Sequence, residues 1–97
     1  MVRLKRTKSM FEEILDELKA QGRESQAIEW IRTFRITDRE KKILIYNYML
    51  DIPYKTISYN PNKEICIELA PENLCKLQKQ AIQSSIKYLK NHIIKDL

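Results

Sequence analysis

The sequence predicts a mainly helical fold in which four helices form one core and carry a short β-hairpin. Three observations support this prediction: apolar residues recur every three or four positions over most of the chain, two capping boxes start helices, and turn-forming residues are scarce. One glycine and three prolines in 97 residues disfavour a many-stranded sandwich or barrel. With 43% apolar and 32% charged residues, the composition is typical of a globular protein with a single domain, predicted over residues 9–97.

The first two helices are predicted over residues 9–20 and 24–35. Ser9 and Glu12 form a capping box, because the serine hydroxyl can accept from the third helical amide while the glutamate reaches back to the cap. The first apolar stripe and the glycine that ends the helix are Phe11, Ile14, Leu15, Leu18 and Gly22. In the second helix, Trp30 lies beside the apolar stripe, and we interpret it as a core residue rather than a partner anchor.

A third helix is predicted over residues 38–50, between a second capping box and Pro53, before which a helix must end. Its surface is apolar nearly all round, so we expect a central helix that neighbours bury on several sides. Residues 55–60 and 63–69 then alternate between polar and apolar types on either side of a turn sequence. This pattern predicts a β-hairpin that packs on a helix.

The last helix is predicted over residues 71–94 and carries the candidate functional surface. Pro71 suits its first turn, where a missing amide hydrogen costs nothing. Cationic and amide side chains repeat on one side at spacings of three and four residues: Lys76, Lys79, Gln80, Gln83, Lys87 and Lys90. Ammonium groups neutralise phosphates and glutamine pairs with adenine edges, so this face fits a DNA groove. Lysine and glutamine also fill ordinary solvated helix faces, and that alternative stays open.

The net charge of +5 is unevenly distributed along the chain. Residues 1–8 form a basic N-terminal arm, with Arg3, Lys5 and Arg6 as candidate nucleic-acid-binding residues, and an acidic helix follows directly. Such an arm either lies along DNA phosphates or is an ordinary frayed terminus.

Signatures of catalysis are missing from the sequence. The lone His92 has no supporting carboxylate or cysteine at helical spacing, and one glycine cannot build a phosphate-binding loop. Cys66 and Cys75 lack the spacing of a metal site, so we expect two reduced core thiols. We therefore predict no catalytic residue, metal, cofactor or small-molecule substrate. Without a signal-peptide run or a stretch long enough to cross a bilayer, the chain is expected to be cytoplasmic, with no membrane partner.

The run ITDREKKIL at residues 36–44 resembles the opening of the promoter-reading helix-turn-helix of sigma factors and of related small phage regulators. Residues 54–58 are similar to the start of the first short helix of that motif. Residues 74–89 are similar to its recognition helix and the tail after it, so the likeness covers about residues 36–90. The resemblance implies DNA binding by Lys76, Lys79, Gln80 and Gln83. The segment 60–69 departs from the pattern, because it is longer than the family's tight turn and alternates like a strand.

Two functional hypotheses follow. The first is a small DNA-binding transcriptional regulator that uses the basic face of its C-terminal helix. The alternative is a non-enzymatic interaction or assembly module, which docks another protein or a second copy through the hairpin and a tyrosine-rich surface around Tyr54 and Tyr59. The low-glycine, lysine- and isoleucine-rich composition suits an accessory protein of a phage, virus or mobile element.

Overall fold

A computed structural model describes residues 8–92 of the protein. These residues form five helices: α1 (Met10–Ala20), α2 (Glu24–Arg32), α3 (Asp38–Lys42), α4 (Tyr54–Ile57) and α5 (Pro71–His92). A π-helical segment, Ile43–Met49, continues α3 without a break. The four predicted helices are found with ends that differ by at most three residues, apart from positions 93 and 94, which lie outside the described residues.

The capping boxes at the starts of α1 and α3 are both confirmed. At α1, the Ser9 hydroxyl accepts from the Glu12 amide at 3.2 Å, and the Glu12 carboxylate accepts from the Ser9 amide at 2.9 Å. Gly22 follows α1 with φ +71°, the left-handed conformation that glycine adopts without a Cβ penalty. Helix α1 therefore begins and ends where its local sequence chemistry indicates.

One hydrophobic core joins α1, α2, α4, α5 and the π-helical segment, whereas α3 contributes no apolar residue to it. Its buried apolar residues are Phe11, Leu15, Ala27, Ile31, Phe34, Ile43, Leu44, Ile45, Met49, Ile57, Ile67, Leu74, Leu77, Ala81, Ile82 and Leu89. The π-helical segment packs against α2, α4 and α5, and three consecutive residues of it, Ile43 to Ile45, are buried. Burial on several sides was the expectation for a helix that is apolar nearly all round, and it is confirmed.

The predicted β-hairpin over residues 55–60 and 63–69 is wrong. Residues Tyr54–Ile57 form the single helical turn α4, residues 61–62 form a bend, and residues 63–65 form a turn. Within residues 8–92, the two segments meet in one isolated parallel bridge between Ser58 and Ile67, whereas a hairpin needs antiparallel pairing.

Two asparagines explain why the turn does not lead into a ladder. The Asn60 side chain donates to the Thr56 carbonyl at 2.7 Å and accepts from the Asn62 amide at 2.7 Å. The Asn62 side chain in turn accepts from the Glu64 amide at 3.0 Å. These local bonds satisfy backbone groups that a hairpin would pair across its strands. Alternation over four residues is also too short to separate a strand from one helical turn.

A buried carboxylate, Glu40, joins α3 to α5. One of its oxygens accepts from the Thr37 amide at 2.9 Å, as the capping box requires. The other accepts from the Gln80 amide nitrogen at 3.0 Å and the Ser84 hydroxyl at 2.8 Å. Glu40 is 3% exposed. Burial raises the pKa of this carboxyl, but the hydrogen bonds from Thr37, Gln80 and Ser84 together lower it by more than burial raises it. The pKa of Glu40 therefore lies below its usual value.

We expect Glu40→Gln to lower the free energy of unfolding by about 1.5–3 kcal/mol at neutral pH. The variant replaces one of the two carboxylate oxygens with an NH₂ group. That group then faces a hydrogen-bond donor of Thr37, Gln80 or Ser84 and cannot accept from it. Urea denaturation followed by circular dichroism measures the change. The matched control is Asp38→Asn, which removes a charge from an exposed position in the same helical turn and should cost only about 0.3–1 kcal/mol.

The same pair of proteins tests the pH dependence. Because the pKa of Glu40 is lower in the folded state, its stabilising contribution is complete well above 4.5, the ordinary pKa, and is lost as pH falls through the folded value. The stability gap between the wild type and Glu40→Gln should therefore narrow between about pH 6 and about pH 3. A gap that stays constant over this interval would show that the carboxylate charge is not what Gln80 and Ser84 recognise.

Adjacent serines in α5 give a second stability prediction with opposite signs. Ser85 is fully buried, and its hydroxyl has no hydrogen-bond partner in the described part of the chain, so Ser85→Ala should raise the free energy of unfolding by about 1 kcal/mol. Ser84→Ala removes a donor to the Glu40 carboxylate and should lower it by about 1.5 kcal/mol. Thermal and urea denaturation of both variants measure the difference, and equal signs would contradict this view of the α3–α5 contact.

Candidate functional site

Helix α5 turns one side to the core and the opposite side to solvent. Its buried residues are Leu74, Leu77, Ala81, Ile82, Ser85 and Leu89. All six residues of the candidate nucleic-acid-binding set on this helix are exposed: Lys76, Lys79, Gln80, Gln83, Lys87 and Lys90. At about 100° per residue they span an arc of about 100°, and at about 1.5 Å per residue they extend about 21 Å along the axis. We call this surface the basic face.

The four lysines of the basic face make no ion pair or hydrogen bond with any of residues 8–92. Glu72, in the first turn, is the one carboxylate of α5, and the rest of the helix lacks aspartate and glutamate. By contrast, α1 carries four carboxylates on eleven residues. The two helices therefore differ in charge: α1 is acidic, and α5 is basic.

The two glutamines of the basic face differ in their surroundings. The Gln80 amide nitrogen donates to the buried Glu40 carboxylate, so this side chain belongs to the contact between α3 and α5. The Gln83 amide makes no hydrogen bond to the described residues. Gln83 is therefore the amide that is free to pair with a ligand, a distinction that helical spacing alone does not reveal.

Sequence reasoning missed two arginines beside the basic face. Arg39, in the first turn of α3, shares a shallow groove with Asn73 and Lys76 of α5. Arg35, in the loop between α2 and α3, shares a second groove with Lys87. Both arginines are exposed. The signal that could have found Arg39 is the capping box, because it places position 39 in the exposed first turn of a helix that must pack on another.

Three other predicted nucleic-acid-binding residues, Arg3, Lys5 and Arg6, lie outside the described residues, as does most of the predicted arm. Lys8, the first described residue, forms an ion pair with Asp16 of α1. Asp16 also accepts from the Tyr48 hydroxyl at 2.8 Å.

The Asp16–Tyr48 contact perturbs both groups. Burial raises the pKa of Asp16, but the hydrogen bonds from Lys8 and Tyr48 together lower it by more than burial raises it. The pKa of Asp16 therefore lies below its usual value. Burial and the adjacent carboxylate raise the pKa of the Tyr48 phenol. Part of the acidic α1 cluster therefore holds the fold together.

The tyrosine-rich surface predicted around Tyr54 and Tyr59 also includes Tyr46 and Tyr48, and these four side chains differ in exposure. Tyr46 and Tyr48 are half-buried. Tyr54 is also half-buried, and its hydroxyl donates to the Gln78 side-chain oxygen at 2.9 Å. Burial is the larger cause, and the neighbouring Cys75 the smaller cause, of a raised pKa of Tyr54. Tyr59 is 65% exposed. Of the two candidate partner-binding residues, Tyr54 thus serves the contact between α4 and α5, and Tyr59 faces solvent.

The cysteines and the histidine provide no clustered reactive centre. Cys66 is half-buried, but Cys75 is exposed, so the expectation of two core thiols is wrong for Cys75. Between residues 8 and 92, no group of three or more histidine, cysteine, aspartate or glutamate side chains is placed to hold a metal ion. His92 is exposed and lies against the Tyr88 ring, with 4.9 Å between ring centroids.

Comparison with models of protein families, with curated proteins and with solved structures gives no match to this chain. Among the described helices, none has both the length and the apolar character that a membrane crossing requires. The candidate site is therefore defined by its own geometry: an exposed cationic helix face bordered by two arginines.

Proposed function

We propose that the protein binds double-stranded DNA through the basic face of α5 and acts as a small transcriptional regulator. The observation that carries this proposal is the row of four exposed lysines, none of them paired within the described chain. A cationic helix of this diameter fits the major groove, which is about 12 Å wide. Neutralising several phosphates supplies most of the affinity in complexes of this kind.

The local structure around α4 supports the proposal. The resemblance to sigma-factor helix-turn-helix motifs implies that a short helix starts at residues 54–58. Tyr54–Ile57 is helical and contacts α5. The connection from residue 58 to residue 70 is longer than the three or four residues of the usual turn. We therefore propose a helix-turn-helix-like pair with an extended connection.

The side chains on α5 suggest a division of roles on DNA. Lys79 and Lys87 flank Gln83 at spacings of four residues, so Gln83 lies near the middle of the basic face. An unbonded amide there can donate to and accept from an adenine edge. Arg39 borders the face beside Lys76 and suits a phosphate contact.

Salt dependence gives the sharpest test of this function. If all four lysines contact phosphates, the logarithm of the association constant should fall with the logarithm of salt concentration with a slope of about −3.6. Each substitution of a contacting lysine by glutamine, beginning with Lys76→Gln and Lys79→Gln, should reduce that slope by about 0.9. Fluorescence anisotropy with a labelled mixed-sequence duplex at several salt concentrations measures both quantities.

The control for charge alone is Arg23→Gln, in the corner between α1 and α2, which removes one exposed cation away from α5. It should leave the slope unchanged. If the protein does not bind duplex DNA at low salt, or if its affinity ignores salt, the DNA-binding proposal fails. A dimer seen by light scattering that is indifferent to salt and DNA would instead favour an assembly module, for which the exposed Tyr59 is the candidate contact.

A further inference from the structure

A groove of about 620 Å³ lies between the loop that joins α2 to α3 and the last turns of α5. Arg35 lines it from the loop, and Lys87 lines it from the helix. Asn91 and His92 add polar groups near the end of α5. These four side chains are exposed, and none makes a hydrogen bond or ion pair with another of residues 8–92.

The groove offers donors rather than acceptors to a ligand. Its one lining carboxylate is Glu40, which is almost fully buried and whose oxygens accept from the Thr37 amide, Gln80 and Ser84. A guanidinium and an ammonium group, by contrast, have donors that remain free. This combination favours an anion, and arginine in particular matches the oxygens of a phosphate in pairs.

Aromatic contacts hold one wall of the groove in place. The Tyr88 ring lies 5.5 Å from the Phe34 ring and 4.9 Å from the His92 ring, centroid to centroid. Phe34 in turn packs edge-on against Trp30 at 5.2 Å. The wall beside the donors is thus continuous with the aromatic part of the core, so this wall is already in place when a ligand arrives.

We propose that this groove binds a phosphate group, with Arg35 and Lys87 as its charged ligands and Asn91 and His92 as additional donors. The phosphate can belong to the DNA backbone or to a free phosphorylated molecule. The first source rests on the proposed DNA-binding function, because Lys87 is part of the basic face. The second does not.

Nuclear magnetic resonance of the full-length chain tests the site directly. Inorganic phosphate is titrated against a chloride control of equal ionic strength, and the His92 ring, the Asn91 side-chain amide and the Arg35 guanidinium NH are followed. His92 is the one histidine of the sequence, so its ring signal is unambiguous. We expect saturable shifts of all three groups with phosphate in the millimolar range. Shifts that equal those in chloride would overturn the proposal.

Matched variants separate this groove from general positive charge. Lys87→Gln and Arg35→Gln should each weaken phosphate binding by about fivefold, the effect of losing one exposed charged contact. Lys90→Gln removes the same charge from the same exposed helix face but does not line the groove, so it should change the affinity less than twofold. Equal losses in Lys87→Gln and Lys90→Gln would contradict a defined site.

The DNA affinity of Arg35→Gln distinguishes the two sources of phosphate. If this variant loses affinity for both inorganic phosphate and a duplex, the groove holds a backbone phosphate. If it loses inorganic phosphate alone, the ligand is a free phosphorylated molecule. If the protein binds phosphate but not duplex DNA, the phosphate site is supported and the DNA-binding function is rejected. If it binds DNA without phosphate-induced shifts, the DNA-binding function is supported and the phosphate site is rejected.

Discussion

The buried carboxylate of Glu40 determines how α3 and α5 meet. It closes the capping box of α3 through the Thr37 amide and, with its second oxygen, accepts from Gln80 and Ser84 of α5. No cation is among these partners, so the charge is stabilised by oriented donors and by the positive end of the α3 dipole. Gln80 lies at one edge of the basic face and Ser84 lies beside it, so holding these two residues sets the rotation of α5 about its axis. The lysines of the basic face are thereby directed outward.

The lysines within residues 8–92 differ in their partners. Lys19 donates to the Tyr48 carbonyl and to Asp51, and Lys41 donates to the Arg32 carbonyl at the end of α2. Lys42 donates to two carbonyls of the long connection between α4 and α5. These ammonium groups stabilise backbone acceptors that the helices and turns leave unpaired. The lysines of the basic face have no such structural role, and the DNA-binding proposal rests on that difference.

The sequence predicted the parts of the fold that depend on local chemistry. Capping boxes at Ser9 and Thr37 marked two helix starts, Pro71 marked a third, and the nearly continuous apolar surface around Ile43 marked the buried centre. The hairpin was wrong because alternation over a few residues does not distinguish a strand from a helical turn, and because Asn60 and Asn62 bond locally.

The candidate site was predictable only in part, for a related reason. The spacing of residues along α5 predicted the basic face, because the helix period alone determines which residues lie on the same side. The bond between Glu40 and Gln80 joins residues forty positions apart, and Arg35 and Arg39 approach α5 only through tertiary packing. Such contacts leave no periodic signal in a single sequence. Spacing along the helix therefore does not show that the Gln80 side chain is bonded to Glu40 or that the Gln83 side chain is unbonded.

The long connection between α4 and α5 changes what holds a helix pair of this kind together. In a motif with a three- or four-residue turn, the turn itself constrains the angle between the helices. Here residues 58–70 span the gap, and their ends are held by the Ser58–Ile67 bridge and by the Ser58 hydroxyl, which donates to the Leu69 carbonyl at 2.6 Å. Ile67, which takes part in that bridge, and Ile57, which precedes Ser58, are both buried. These contacts and the packing of the core, rather than a short turn, therefore hold α4 against α5.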